Sequence, residues 1–208
     1  FIEGGEFMLF HYHFWTPYLE ETEKFYEENG FNVSLRMGKY NGDFQNFNPP
    51  LTWNDFRTKN ILFRIIEMRK GTVNITFGYG KKIKFDHIGF LVSKTKHHVL
   101  CDNAKKMNWQ VNIGERRTFI NTPYEFKIEL QTNIDVIDTI ADTVKINRLK
   151  IATKKTGLED DLSTLFNEPV NNIHSVVGDE FTLKEAVIKG FLSSDHLDPN
   201  GVRIFNYI

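Results

Sequence analysis

Two histidines occupy matching places in a pattern that the chain repeats about 76 residues apart. His11 lies in the apolar run 9–15 and His87 in the apolar run 85–92, and an amphipathic helical segment follows each run. Imidazole is the commonest metal ligand among protein side chains, and it also exchanges protons near neutral pH. Because equivalent positions of a repeated unit can meet in the folded chain, the two side chains are candidates for one shared site.

The elements that would position these histidines follow one order in both units, a strand, a helix and then further strands. Apolar residues at helical spacing predict a first helix over 18–30 and a second from about 94 to 107. Runs rich in β-branched and aromatic residues between turn residues predict the later strands. They are 31–37, 61–68 and 73–77 in the first unit, which spans 8–82, and 110–113, 117–120 and 126–131 in the second, which spans 83–132.

The segment 133–208 is long enough for a third, degenerate copy of the unit. A strand-like run over 148–153 precedes an amphipathic helical pattern that begins at Leu158. Strand-like runs follow at 173–177, 183–191 and 202–208, although the run 183–191 could equally be helical.

Composition bounds the class of protein. The 208 residues are 40% hydrophobic and 25% charged, as in ordinary globular proteins, and the net charge of -1 gives no electrostatic case for binding nucleic acid or an anionic membrane. No apolar run approaches the roughly 18 residues that cross a bilayer. The single cysteine, Cys101, excludes an intrachain disulfide and fits a reducing cytoplasm. Residues 1–7 do not resemble a signal peptide, and we interpret them as a vector-derived leader before Met8.

The two units resemble the βαβββ modules of the vicinal oxygen chelate superfamily, which includes glyoxalase I, extradiol dioxygenases, fosfomycin-resistance enzymes and bleomycin-binding proteins. The residues that carry the resemblance are His11, Leu19, Phe25-Tyr26, Gly30-Phe31, Asp86-His87-Ile88-Gly89-Phe90, Ile128-Glu129-Leu130 and, in the third unit, Asp198-Pro199-Asn200-Gly201. The resemblance implies an α+β fold in which two modules pair as a half-open barrel, with the degenerate third module at the C-terminus.

The resemblance also implies a site for a divalent metal ion. It places ligands at His11 and His87 on the first strands and at Glu129 on the closing strand of the second module. The matching position of the first module carries Thr76, where four-ligand members such as glyoxalase I have a glutamate or glutamine. Two imidazoles and one carboxylate suit iron, manganese or zinc and leave positions open for a substrate.

Each candidate has an alternative interpretation. A histidine on an apolar strand is commonly a packed, hydrogen-bonded residue, and Glu129 could face solvent on an edge strand. His13 shares the predicted inward face of His11, so it is either a base beside the bound ion or, with the strand shifted by two residues, the ligand itself. Tyr124 could donate a hydrogen bond at the pocket mouth or only shape a turn. The aromatic-rich connection 38–59 could cover a substrate, fill a gap in the barrel or form a subunit contact.

The sequence therefore favours a metal-dependent enzyme that acts on a small substrate with vicinal oxygens, of the glyoxalase and dioxygenase family. The alternative is a non-catalytic small-molecule-binding or resistance protein of the same fold. Lys150 lies near the place where a ligand histidine of the third unit would fall, so we expect that unit to hold no metal. An unpaired module leaves a face to bury, so it would pack on the metal-bearing pair or meet its twin in a homodimer.

Overall fold

The computed structural model describes residues 7–139, 143–191 and 195–207. The expected leader lies outside these ranges except for Phe7, which is the first residue of the first strand. Within the described ranges, no helix combines the length and the apolar character that crossing a membrane requires.

The two predicted modules form one nine-stranded sheet. The first contains β1 (Phe7–Thr16), α1 (Leu19–Glu28), β2 (Asn32–Tyr40), β3 (Asp43–Asn46), β4 (Leu62–Lys70) and β5 (Val73–Tyr79). The second contains β6 (Lys84–Val92), α2 (Lys94–Lys106), β7 (Gln110–Ile113), β8 (Thr118–Asn121) and β9 (Lys127–Gln131). The strand order is β3-β2-β4-β5-β1-β6-β9-β8-β7, so the two first strands, β1 and β6, pair antiparallel at the centre. Each first strand also pairs in parallel with its own closing strand, and the predicted α+β fold of paired modules is confirmed.

The aromatic connection after β2 fills the core of the first module. It contains the hairpin strand β3 and a short 3-10 helix, Trp53–Phe56, and the rings of Phe47 and Phe56 pack against Phe63 of β4. Phe47 and Phe56 of this connection therefore fill the core, whereas Phe44 in the same connection is exposed.

A buried ion pair fastens this connection to α1. The Arg36 guanidinium donates two hydrogen bonds of 2.7 Å to the Glu23 carboxylate, and both side chains are almost fully buried. Trp53 donates a third hydrogen bond, of 2.8 Å, to the same carboxylate. Because every charge in this group has a hydrogen-bonded partner, burial of the pair is tolerated.

The C-terminal region forms a separate five-stranded sheet. Its elements are β10 (Lys145–Thr153), α3 (Leu158–Phe166), β11 (Ile173–Val177), β12 (Thr182–Lys189), β13 (Asp195–Leu197) and β14 (Arg203–Tyr207), in the order β11-β10-β12-β14-β13. The segment that could have been helical is thus the strand β12. The central strands β10 and β12 pair antiparallel and each has a parallel outer neighbour, as β1 and β6 do. This connectivity is that of two shortened modules facing each other, and it differs from a single βαβββ unit.

Matching irregularities support this relationship between the two sheets. The pairing of β1 with β6 skips Phe10 on the first strand and Asp86 on the second. The pairing of β10 with β12 skips Asn147 and Lys184 at the equivalent places. Bulges at equivalent places on both central pairs indicate that the C-terminal sheet repeats the centre of the N-terminal one.

The C-terminal sheet packs on the paired modules, which is the first of the two arrangements that the sequence suggested. β10 lies against β1, and α3 lies against α2. A buried chain of hydrogen bonds crosses this interface, because Tyr12 donates to the Tyr26 hydroxyl, which donates to Asp198 at 3.0 Å. Asp198 also accepts the backbone N–H groups of Asn200 and Val202 and so shapes the turn before β14.

Candidate metal centre

Strand alternation places the histidines of β1 on the concave face of the large sheet. His11, His13 and Trp15 point to one side, while Tyr12 and Phe14 point into the core on the other. The bulge in β6 interrupts this alternation, because Asp86 is the skipped residue and lies on the same side as His87. The bulge therefore gives His87 a carboxylate neighbour within hydrogen-bond reach.

Gly89 allows the candidate ligands on β1 and β9 to meet above β6, the strand between them. His11 on β1 and Glu129 on β9 both pair with Gly89 of β6. Their strands are two positions apart in the sheet, about 10 Å, so the side chains must lean over residue 89 to meet. Because Gly89 has no side chain, the candidate ligand atoms of His11, His87 and Glu129 all lie within 4.8 Å of one another.

The Nδ1 atoms of His11 and His87 both donate hydrogen bonds. His11 Nδ1 donates to the Asn74 carbonyl oxygen at 2.9 Å, and His87 Nδ1 donates to an Asp86 carboxylate oxygen at 2.8 Å. In its neutral form each ring would therefore carry its proton on Nδ1 and direct an Nε2 lone pair inward. Outer partners of this kind orient histidine ligands in metal proteins.

With both rings in this form, three acceptor atoms converge on one point. The two Nε2 atoms are 3.0 Å apart, and Glu129 Oε2 lies 3.2 Å from His87 Nε2. Glu129 Oε2 has no partner in hydrogen-bonding geometry among the described residues. Lone pairs and a carboxylate at these distances repel one another unless a cation lies among them, so the residues fit a divalent metal ion.

The protonation states also suit a metal. Burial is the largest influence on His11 and lowers its pKa to about 4, so the ring is neutral near pH 7. Burial acts to raise the pKa of Glu129, but the adjacent His87, then His11 and the Arg117 guanidinium, outweigh it and lower the pKa to about 2. Metal ligands must be a neutral imidazole and an ionised carboxylate, which are these states.

Thr76 occupies the place in the first module that Glu129 has in the second. The register confirms this, because Thr76 pairs with His13 as Glu129 pairs with Gly89, and His13 and Gly89 are equivalent across the β1–β6 pair. The Thr76 hydroxyl lies 2.6 Å from His13 Nδ1 and 3.4 Å from His11 Nε2. The position equivalent to Glu129 in the first module therefore carries a hydroxyl group, which orients His13.

His13 lies beside the cluster, and Tyr124 lies elsewhere. The His13 ring stacks on His87 with a centroid distance of 4.8 Å, and its Nε2 is buried without a hydrogen-bond partner among the described residues. Burial and then the neighbouring His87 lower its pKa well below the usual value. The Tyr124 hydroxyl instead donates to Asp161 at 2.7 Å, so this side chain joins the second module to α3.

A cavity of about 510 Å³ opens beside the cluster. Its lining includes His13, Thr76, Asp86 and His87, and its apolar lining residues include Trp15 and Phe119. This volume is within the range of small-molecule sites. The sequence identified the candidate ligands but assigned no role to Asn74, Asp86 and Gly89, whose positions depend on the pairing of strands.

The C-terminal sheet carries different residues at the equivalent positions. By register, the places of His11, His13, His87 and Glu129 are taken by Arg148, Lys150, Glu185 and Phe205. Lys150 Nζ lies 3.2 Å from the Glu185 carboxylate. The three ligand places of the N-terminal sheet are therefore occupied here by an arginine, a glutamate that pairs with Lys150, and a phenylalanine.

Solved structures share this fold. An extradiol ring-cleaving dioxygenase from B. fuscum aligns with a TM-score of 0.64 and 10% identity, over 95% of this chain and 70% of that chain. Homoprotocatechuate 2,3-dioxygenase from Arthrobacter globiformis aligns with a TM-score of 0.60 and 10% identity, over 96% and 79%. A hypothetical protein from Staphylococcus aureus aligns with a TM-score of 0.57 and 8% identity, over 97% and 100%. No protein-family model and no curated protein matches the sequence.

The chain thus has the fold of the vicinal oxygen chelate superfamily, as the sequence motifs predicted. The neighbours named as dioxygenases act on small molecules, and the described residues of this chain include a His–His–Glu group that could hold a divalent metal.

Proposed function

We propose that this protein is a divalent-metal-dependent dioxygenase that acts on a small substrate with two adjacent oxygens. His11, His87 and Glu129 would hold the ion, and the observation that carries the proposal is the convergence of their three acceptor atoms. Two histidines and one carboxylate with open positions are the usual ligand set of non-haem iron(II) oxygenases, so iron is the first choice. The ion, when bound, would act as a Lewis acid for the substrate and would activate dioxygen.

The chain's own residues would prepare the substrate. His13 lines the cavity, and its Nε2, which has no hydrogen-bond partner among the described residues, can accept a proton from a substrate hydroxyl, while Thr76 holds the opposite ring nitrogen. The rings of Trp15 and Phe119 line the cavity and would exclude water from the reacting oxygens.

Metal analysis separates this proposal from a non-catalytic binding protein with the same fold. Protein purified without chelator should contain close to one ion per chain, and His87→Ala and Glu129→Ala should each lose most of it. The matched control is His174→Ala, because His174 is exposed on β11 in the other sheet. Equal metal content in all four proteins would refute the ligand assignment, and absence of metal from the wild type after reconstitution with iron(II) would refute the enzyme.

Unfolding gives an independent measurement. A ligand at 100 times its dissociation constant stabilises the folded state by about 2.7 kcal/mol. Adding iron(II) anaerobically to chelator-treated protein should therefore raise its melting temperature, and Glu129→Ala should show no such rise.

A further inference from the structure

The cavity beside the candidate metal centre is lined by an excess of positive charge. Its lining contains five cationic and two anionic side chains. The cationic ones are Arg64, Arg69, Arg116, Arg117 and Lys127, and the anionic ones are Glu67 and Asp86. A concave surface with charge of one sign concentrates ligands of the opposite sign.

Most of these cations have a carboxylate partner, and Arg64 does not. Arg69 pairs with Glu67 at 2.6 Å and Lys127 with Asp86 at 2.9 Å. The other two also have acidic neighbours, with Arg116 at 2.6 Å from Asp135 and Arg117 at 3.6 Å from Glu129. Among the residues that the structure describes, no carboxylate lies within ion-pair distance of Arg64, so its charge is available to a ligand.

A bulge turns Arg64 into the cavity. The pairing of β2 with β4 skips from Ile65 to Phe63, which leaves Arg64 unpaired. The Arg64 guanidinium lies over the Trp15 ring at 4.5 Å from its centroid, and the absence of a side chain at Gly78 leaves room for that ring. Stacking holds the guanidinium plane and leaves its edge N–H groups free for an oxyanion.

Ring contacts connect this arginine to the candidate ligands. Trp15 lies edge-on to His13 at 4.7 Å, and His13 stacks on His87 at 4.8 Å. Arg64 and the metal cluster therefore lie at the two ends of one short aromatic row along the cavity wall. A ligand that lies along this row would contact Arg64 at one end and the metal cluster at the other.

From this arrangement we propose that the substrate carries an anionic group, such as a carboxylate, which Arg64 binds while the vicinal oxygens face the metal cluster. The inference rests on the proposed function for the position of the oxygens, and it adds the substrate class. A guanidinium binds a carboxylate through two parallel hydrogen bonds, so it fixes the orientation of the substrate as well as adding affinity. Arg64 is a specificity-determining residue in this proposal.

Two compounds that differ only in a carboxylate test the proposal. Catechol and 3,4-dihydroxybenzoate would be titrated calorimetrically without oxygen into zinc-loaded protein and into chelator-treated protein. We expect the loaded wild type to bind 3,4-dihydroxybenzoate at least about tenfold more tightly than catechol, with a preference that falls as salt is raised. Arg64→Gln should abolish the preference without changing zinc content, and Arg64→Lys should keep part of it.

A control variant at Arg57 and the dependence on zinc distinguish the anionic-substrate proposal from the metal-site proposal. Arg57→Gln removes an exposed arginine that pairs with Glu20, away from this cavity, and should leave the preference unchanged. Equal affinity for both compounds, or a preference that survives in Arg64→Gln, would overturn the anionic-substrate proposal. Affinities that do not depend on zinc would instead count against the metal site while leaving the carboxylate preference measurable.

Discussion

Gly89 provides the sharpest test of how the candidate ligands come together. A Cβ atom at this position would lie 2.8 Å from His11 Cβ and 3.0 Å from His11 Cδ2. Ordinary contacts begin at 3.4 Å, so Gly89→Ala must displace His11 by about 0.6 Å. The contact is with the base of the side chain, which cannot rotate away, and the displacement carries His11 away from Glu129.

The expected consequence is a loss of metal affinity greater than the loss of stability. Metal–ligand distances tolerate about 0.2 Å, so a displacement three times as large should weaken binding by about 10- to 100-fold. Overpacking itself should cost about 1–3 kcal/mol of unfolding free energy, which leaves a typical domain folded.

The assay is competition for zinc against a chromophoric chelator, with denaturant unfolding of the same samples. Gly178→Ala is the matched control, because a Cβ there would meet the Ala152 Cβ at 3.6 Å, an ordinary contact. Gly89→Ala protein that binds zinc as tightly as this control would refute the argument that an empty position between β1 and β9 assembles the site.

Two further predictions concern buried polar groups outside the metal cluster. Glu23→Ala should lower the unfolding free energy by about 3–5 kcal/mol, because Arg36 would remain buried without its partner. The control is Glu20→Ala at an exposed ion pair, for which urea unfolding should show little change. Similar unfolding midpoints for both variants would contradict this prediction. Burial raises the pKa of Asp198 above its ordinary value of 3.8, so its contribution to stability is fully present below that value and is lost as pH rises through the folded-state pKa. Unfolding of the wild type and Asp198→Asn at pH 4 and pH 7 should therefore show the variant gaining relative stability at pH 7, and a difference independent of pH would disprove the shift.

Local patterns predicted the paired modules, and the family resemblance predicted the candidate ligands. Alternation along β1 predicted that His11 and His13 share a face, and the repeat predicted that His87 matches His11. The family motif placed Glu129 on the closing strand of the second module and Thr76 at the matching position of the first. The observed register agrees. The shared face of His11 and His13 was predictable because successive side chains of a regular strand point to opposite sides.

Other features depend on which strands pair and in which register. The bulges that bring Asp86 beside His87 and turn Arg64 into the cavity have no local signature, because a bulge is defined by the partner strand. The sequence does not reveal that Gly89 leaves room for His11 and Glu129, because this role depends on β1 and β9 lying on either side of β6. The C-terminal segment shows the same division, since its strand-like runs were readable but their pairing as two shortened modules was not. The sequence by itself determined which side chains could do chemistry, and the tertiary structure decided how they meet, because contacts between distant strands are set by packing and hydrogen bonding of the whole sheet.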